Sequence, residues 1–293
     1  MTLELDTRQR AMLLEMGVHV WLPDTGVTVL EQVVPPVQHA APAVRAPVTP
    51  AFVARPVAAP ALPSAPPTTK PSPNSPASVP DAASLDWTAL VDAVHDCKAC
   101  RLCAGRSNTS MMAPTQDLAQ SDWMVVGDVP DEEEDRAGAP FAGQDGVLLA
   151  NMLRALGLQR SNPLPSAVPG QLQPAAKRAY VTNVLKCRPA MGAIPQAAEL
   201  AQCAAYLHRE IALVQPKIIL AMGRYANQVL LSESPTLVAQ PLGKLRGVLH
   251  SYRGVPVVIT YPPKLLMRNS ADKAKAWADL CFAAAAVDAA SAG

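Results

Sequence analysis

The sequence predicts an α/β protein with three layers, α/β/α, around a mostly parallel central sheet. Two observations carry this. Short apolar runs alternate with longer runs whose apolar residues recur at intervals of three and four. The alternation continues from residue 122 to residue 290, and strand–helix alternation of this kind builds a parallel sheet with helices on both faces. The chain has 293 residues, ample for a sizeable core.

The elements follow in order. "DWMVVGD" (122–128) reads as a short buried strand, and "GVLLANMLRALGL" (146–158) as a helix. "AYVTNVLKC" (179–187) is a second strand. "QAAELAQCAAYLHREIALVQP" (196–216) is a long amphipathic helix stopped by Pro216. "KIILAMG" (217–223) is a third strand and "RYANQVLLS" (224–232) the helix after it. "VLHSYRGVPVVITY" (248–261) gives two strands joined at Arg253–Gly254, and "ADKAKAWADLCFAAAAVDAA" (271–290) closes the chain as a helix. In such sheets ligands bind beyond the carboxyl ends of the strands. The loops after Gly127, Asn183, Gly223 and Tyr261 are therefore expected on one rim.

Ahead of this body the composition changes. Fourteen of the thirty prolines lie between Pro35 and Pro80, and no Asp or Glu occurs from Gln32 to Pro80. Such a stretch reads as an extended, polyproline-rich, disordered tether. The expected map is a short helical head (1–34), a tether (35–80) and a globular body (81–293). No run of eighteen uninterrupted apolar residues occurs, which argues against a membrane span. The first residues lack a signal-peptide pattern, and a cytoplasmic location is expected. The body holds 20 Lys and Arg against 19 Asp and Glu. So even a balance gives little counterion-release affinity, and weak or no direct DNA binding is expected. Lys264, Lys244, Arg246 and Arg268 are candidates for a modest local basic rim.

Six cysteines are present: Cys97, Cys100, Cys103, Cys187, Cys203 and Cys281. In a reducing compartment metal binding and core packing compete for them. Cys97 and Cys100 form a chelating C-x-x-C pair, Cys187 ends a strand, and Cys203 lies sixteen residues on in the next helix. Four such thiolates can hold zinc or a [4Fe–4S] cluster, and spacing alone does not separate the two. Cys103 extends the run to C-x-x-C-x-x-C and competes as a ligand, whereas Cys281 reads as core.

From Cys97 to Leu280 the body resembles the iron–sulfur (family 4) uracil-DNA glycosylases. The carrying motifs are "CKACRL", "GDVPDEEEDRAGAPFAGQDG" (127–146), "TNVLKCRP" and "PKIILAMGRYANQVLL". The resemblance implies a [4Fe–4S] cluster on Cys97, Cys100, Cys187 and Cys203, and removal of a flipped-out uracil from DNA. It places Phe141 as the ring stacking on uracil and Asn183 as the amide reading the base edge. The first-loop carboxylate falls on Asp128, one methylene shorter than the family's Glu, and the Gly after the proline falls on Asp131. The last loop, "TYHPAYLLR" in the family, is "TYPPKLLMR" here, so the His that stabilises the leaving base falls on Pro262. Proline has no donor to replace it. Losing one such donor costs about 10²–10³ in rate, and a misplacement of about 1 Å another 10² or so. The paired prolines after Thr260 are expected to end the strand and stiffen a loop.

The head carries a second resemblance. Asp6 or Thr7 caps a helix starting near Arg8, Gly17 ends it, and an apolar strip follows. Leu13, Met16, Gly17, Val18 and Trp21 match the L-x-x-L-G-I-x-x-W peptide of the psi subunit of bacterial DNA polymerase III holoenzyme. That resemblance implies docking onto clamp-loader subunits, with the chi subunit as a partner for the body. Together the two resemblances give the expectation of a non-catalytic, psi-like replisome adaptor. The alternative is an active uracil-DNA glycosylase of base-excision repair with a rearranged site.

Overall fold

The computed structural model describes Met12 and residues 82–115, 121–162, 164, 177–190 and 193–292. The expected head and tether boundaries lie outside the described residues, Met12 apart. Six strands form one sheet: β1 (Trp123–Gly127), β2 (Leu158–Arg160), β3 (Lys177–Asn183), β4 (Ile218–Met222), β5 (Leu249–Tyr252) and β6 (Val255–Thr260). Their order is β2-β3-β1-β4-β6-β5. All pairings are parallel except β5 with β6, which forms an antiparallel hairpin.

The helices are α1 (Trp87–His95), α2 (Glu132–Ala137), α3 (Gln144–Ala155), α4 (Ala197–Val214), α5 (Arg224–Leu230), α6 (Pro235–Val238), α7 (Leu242–Leu245), α8 (Pro263–Arg268) and α9 (Lys273–Ala292). Strands β1 and β4 are buried along their whole length, as parallel strands covered on both faces must be. The period of two sends alternate residues to opposite faces. Met124, Val126, Ile219 and Ala221 pack with Leu207 and Ile211 of α4 and Val229 of α5. Trp123, Val125, Ile218 and Leu220 pack with Leu149 and Leu153 of α3 and Trp277 and Leu280 of α9. Helix α4 ends where Gln215 turns left-handed, just before Pro216.

The three-layer architecture is as expected, and one local reading needs correction. The paired prolines do not stiffen a loop. Pro262 is the N-cap of α8 and Pro263 its first residue. Proline at a first helical position wastes no hydrogen bond, because that N–H has no partner inside the helix. Among the described residues, no helix is long and apolar enough to cross a membrane.

Candidate active site and cysteine cavity

Parallel pairing of β3, β1, β4 and β6 brings their carboxyl ends to one edge, with Gly127 opposite Asn183 and Met222 opposite Thr260. Gly127, Asn183 and Phe141 meet there. A methyl group on Gly127 would lie 2.3 Å from Asn183 Oδ1 and 2.5 Å from Phe141 Cζ. Glycine is thus what leaves space between the amide and the ring. Phe141 has φ of +53°, a left-handed backbone that is uncommon for a bulky residue. Such strain persists only where the surroundings enforce it, and it concentrates at functional sites. Here the Phe141 N–H donates to Glu134 Oε1 at 2.5 Å. Behind it, Gly146 lets α3 approach so closely that a Cβ would lie 1.9 Å from the Phe141 carbonyl oxygen.

Glu134 organises this corner. Besides the Phe141 N–H, Oε1 accepts from Asn183 Nδ2 at 2.8 Å. Oε2 accepts from the Asp131 N–H at 2.8 Å. Asp131 in turn caps α2, accepting from the N–H groups of Glu133 and Glu134. This reciprocal capping box fixes the Glu134 side chain from the local sequence D-x-x-E. Asn183 Nδ2 also donates to Ser110 Oγ at 3.2 Å. Both amide hydrogens are therefore engaged, and Oδ1 is the atom turned toward Gly127. Glu134 is 4% exposed. Burial pushes its carboxyl up to about 7, against the bonds from Phe141, Asn183 and Asp131.

Asp135, also buried, accepts from the N–H groups of Ser107 and Asn108. It thereby pins the loop that carries Ser110. Asp128 has a different occupation. Its two carboxylate oxygens accept the backbone N–H groups of Arg224, Tyr225 and Ala226 at 2.8–2.9 Å, so it sits on the positive end of α5. Gly223, at φ of +127°, has room for no Cβ beside that carboxylate. Burial raises the Asp128 carboxyl, and the three N–H bonds oppose the rise.

At the mouth, Pro262 opens α8 and the next polar side chain, Lys264, reaches back across the rim. Its Nζ lies 3.2 Å from Asp131 Oδ2. Of the other residues expected in a basic rim, Arg246 is engaged with its own partners. Arg246 bonds Asp279 at 2.7 Å and stacks over Tyr261, with 4.4 Å to the ring centroid. His250 Nε2 lies 2.8 Å from the Leu245 carbonyl oxygen. His208 lies near the Tyr252 ring, and His95 beside Asp96.

A separate cavity lies between α1, α4 and the segment after β3. Its lining consists of Cys97, Cys100, Cys187 and Cys203 with Val94, Ala99, Lys186, Gln202 and Tyr206. The structure thus gathers the four cysteines expected as ligands, while Cys103 is not among the lining residues. Arg106 Nη1 donates to Cys187 Sγ at 2.9 Å. Burial raises the Cys100 and Cys187 thiols, and pushes Cys203 up to about 12. Among the described residues no group of three or more His, Cys, Asp or Glu is spaced for a single metal ion.

Comparison with known proteins settles the family. The model of the uracil DNA glycosylase superfamily matches residues 114–281. The chain belongs to this superfamily. Its relatives within the glycosylase superfamily include the type-4 uracil-DNA glycosylase of Sulfurisphaera tokodaii, 31% identical over 61% of this chain and 75% of the relative. That of Pyrobaculum aerophilum is 30% identical over 68% of this chain and 93% of the relative. A bacterial one, from Thermotoga maritima, is 30% identical over 61% and 82%.

These relatives overturn the expectation of a non-catalytic, psi-like adaptor, since they are named as glycosylases and this chain spans most of their length. The reason for the error is physical. Pro262 received the weight of a missing imidazole, while the Glu134–Asn183–Phe141 network was not seen. Glu134 lies inside the motif "GDVPDEEEDRAGAPFAGQDG" among four other acidic residues, "DEEED" (131–135), where the resemblance assigned roles only to Asp128, Asp131 and Phe141. The available signal was its position three residues after a capping Asp. The head residues Leu13, Met16, Gly17, Val18 and Trp21 lie outside the described residues.

Proposed function

We propose that this chain is a uracil-DNA glycosylase of the type-4 kind, hydrolysing the N-glycosidic bond of deoxyuridine in DNA. The observation that carries the reading is the locked amide of Asn183. With Nδ2 held by Glu134 and Ser110, it presents Oδ1 to the space beside Gly127. An ionised Glu134 only accepts hydrogen bonds, so it selects that orientation. Oδ1 then accepts the N3–H of uracil. Cytosine has a lone pair at N3 and is repelled.

The base is turned out of the stack and lies against the Phe141 ring. The C1′–N1 bond breaks with its electron pair going to the leaving base. Water adds hydroxyl to C1′, and its proton passes to solvent. The buried carboxylates Asp128 and Glu134 place negative charge near the sugar, where positive charge develops.

Cys97, Cys100, Cys187 and Cys203 fit a [4Fe–4S] cluster, because their four thiols line one cavity. When bound, the cluster supplies a cross-link between α1, α4 and the end of β3. That segment runs directly back to Asn183, so the same backbone serves both sites. The test is abasic-site formation on a single-stranded uracil oligonucleotide. Asn183→Ala is expected to lose at least ~10² in rate. Unchanged activity in that variant would remove the reading.

A further inference from the structure

A departing uracil carries its negative charge on N1 and O2, and no imidazole among the described residues stands at this rim. His95, His208 and His250 are engaged elsewhere. We infer that Lys264 is the leaving-group cation of this site, held in reserve by Asp131. The inference rests on the glycosylase reading above and names the residue that completes it.

The geometry is a row of polar contacts. Asn183 Nδ2 meets Glu134 Oε1 at 2.8 Å, Glu134 Oε2 meets the Asp131 N–H at 2.8 Å, and Asp131 Oδ2 meets Lys264 Nζ at 3.2 Å. Lys264 therefore stands at the far end of the carboxylates that hold the base-reading amide. Its carrier, α8, begins directly after the rim of β6. The side chain is 55% exposed and Asp131 26%, and so open an ion pair is weak. Among the described residues its ion pair is with Asp131, and the Asp145 carboxylate also attracts it; both contacts must yield, on a flexible stem, for it to swing to a base seated between Asn183 and Phe141.

In the reaction the C1′–N1 electron pair moves onto the base while the ammonium stands beside O2. Water delivers hydroxyl to C1′ and a proton to solvent, and the uracil anion takes a proton from solvent. Lys264 thus stabilises charge without being consumed. Asp131 has a second duty as the α2 cap. Asparagine caps equally well, so Asp131→Asn frees the lysine and keeps the helix.

Single-turnover release separates this role from a contact to the DNA backbone. The cluster-loaded full chain is compared with Lys264→Met, Lys264→Arg and Asp131→Asn on strands bearing uracil or 5-fluorouracil. Affinity is measured separately on a strand with a non-cleavable 2′-fluoro-deoxyuridine. Lys264→Met is expected to lose about 10²-fold on uracil with affinity changed only a few-fold. The loss on 5-fluorouracil is roughly tenfold smaller, because that base leaves well unaided. Lys264→Arg retains part of the rate, and Asp131→Asn is faster than the natural protein. Equal losses on both bases, a loss confined to affinity, or a Lys264→Met rate within about threefold of natural would overturn the inference while leaving the glycosylase reading intact. An inactive natural protein would sink that reading and this inference with it.

Discussion

Replacing Gly127 by alanine adds one methyl group at the tightest point of the site. An ideal Cβ there lies 2.3 Å from Asn183 Oδ1, 2.5 Å from Phe141 Cζ and 2.7 Å from Phe141 Cε2. Ordinary contact begins near 3.4 Å, so one partner must retreat by about an ångström. Neither is free to do so. Asn183 is tethered by Glu134 and Ser110, and the Phe141 backbone is held left-handed by its bond to Glu134. Overpacking of this size costs about 1–3 kcal/mol. For a body of this length that lowers the melting temperature by about 2–4 °C per kcal/mol. Displacing the amide or the ring by about 1 Å costs on the order of 10²-fold in rate. The assay pairs thermal unfolding with single-turnover uracil release. A Gly127→Ala protein that melts slightly earlier yet releases uracil at the natural rate would refute the view that this gap holds the base.

Four further outcomes follow from named groups. The Glu134 carboxyl is raised to about 7 in the folded state, above its unfolded value. Its stabilising contribution is complete below the unfolded value and is lost as pH rises through about 7, a change of a few kcal/mol. Urea unfolding should show that slope in the natural protein and not in Glu134→Gln. Because the ionised form locks Asn183, uracil release should rise toward an alkaline plateau with an apparent midpoint near 7, and Glu134→Gln should flatten the profile. Lys186 and Glu210, 2.5 Å apart and almost wholly buried, make a pair whose disruption strands a charge. Lys186→Met should cost about 3–5 kcal/mol, and adding Glu210→Gln should recover part of it, as read by chemical unfolding. Cys187→Ser should remove bound iron and sulfide, measured chemically, while Cys103→Ser should leave both in place.

The strands were legible because their signals are local. The β1, β4 and β6 runs are apolar, short and punctuated, and the rim follows once they are parallel. The Asn183 and Phe141 positions came from the motifs around them. Other features depended on contacts that cross the sequence. The motif located Asp128, but what holds its oxygens, the N-terminus of α5 nearly a hundred residues away, could not be read from it. Glu134 was masked by its acidic neighbours. The α8 start was misread because two prolines signal a break, while proline at N1 begins a helix as readily as it ends a strand. The Asp131–Lys264 pair joins positions 133 residues apart, and no local pattern announces it.

The most direct measurement counts free uracil by mass spectrometry after the full-length, cluster-replete protein meets a uracil-containing strand in enzyme excess. The account predicts stoichiometric release of uracil from the natural protein's reaction and almost none from Asn183→Ala. A strand that keeps its uracil after prolonged exposure to the natural protein would contradict it.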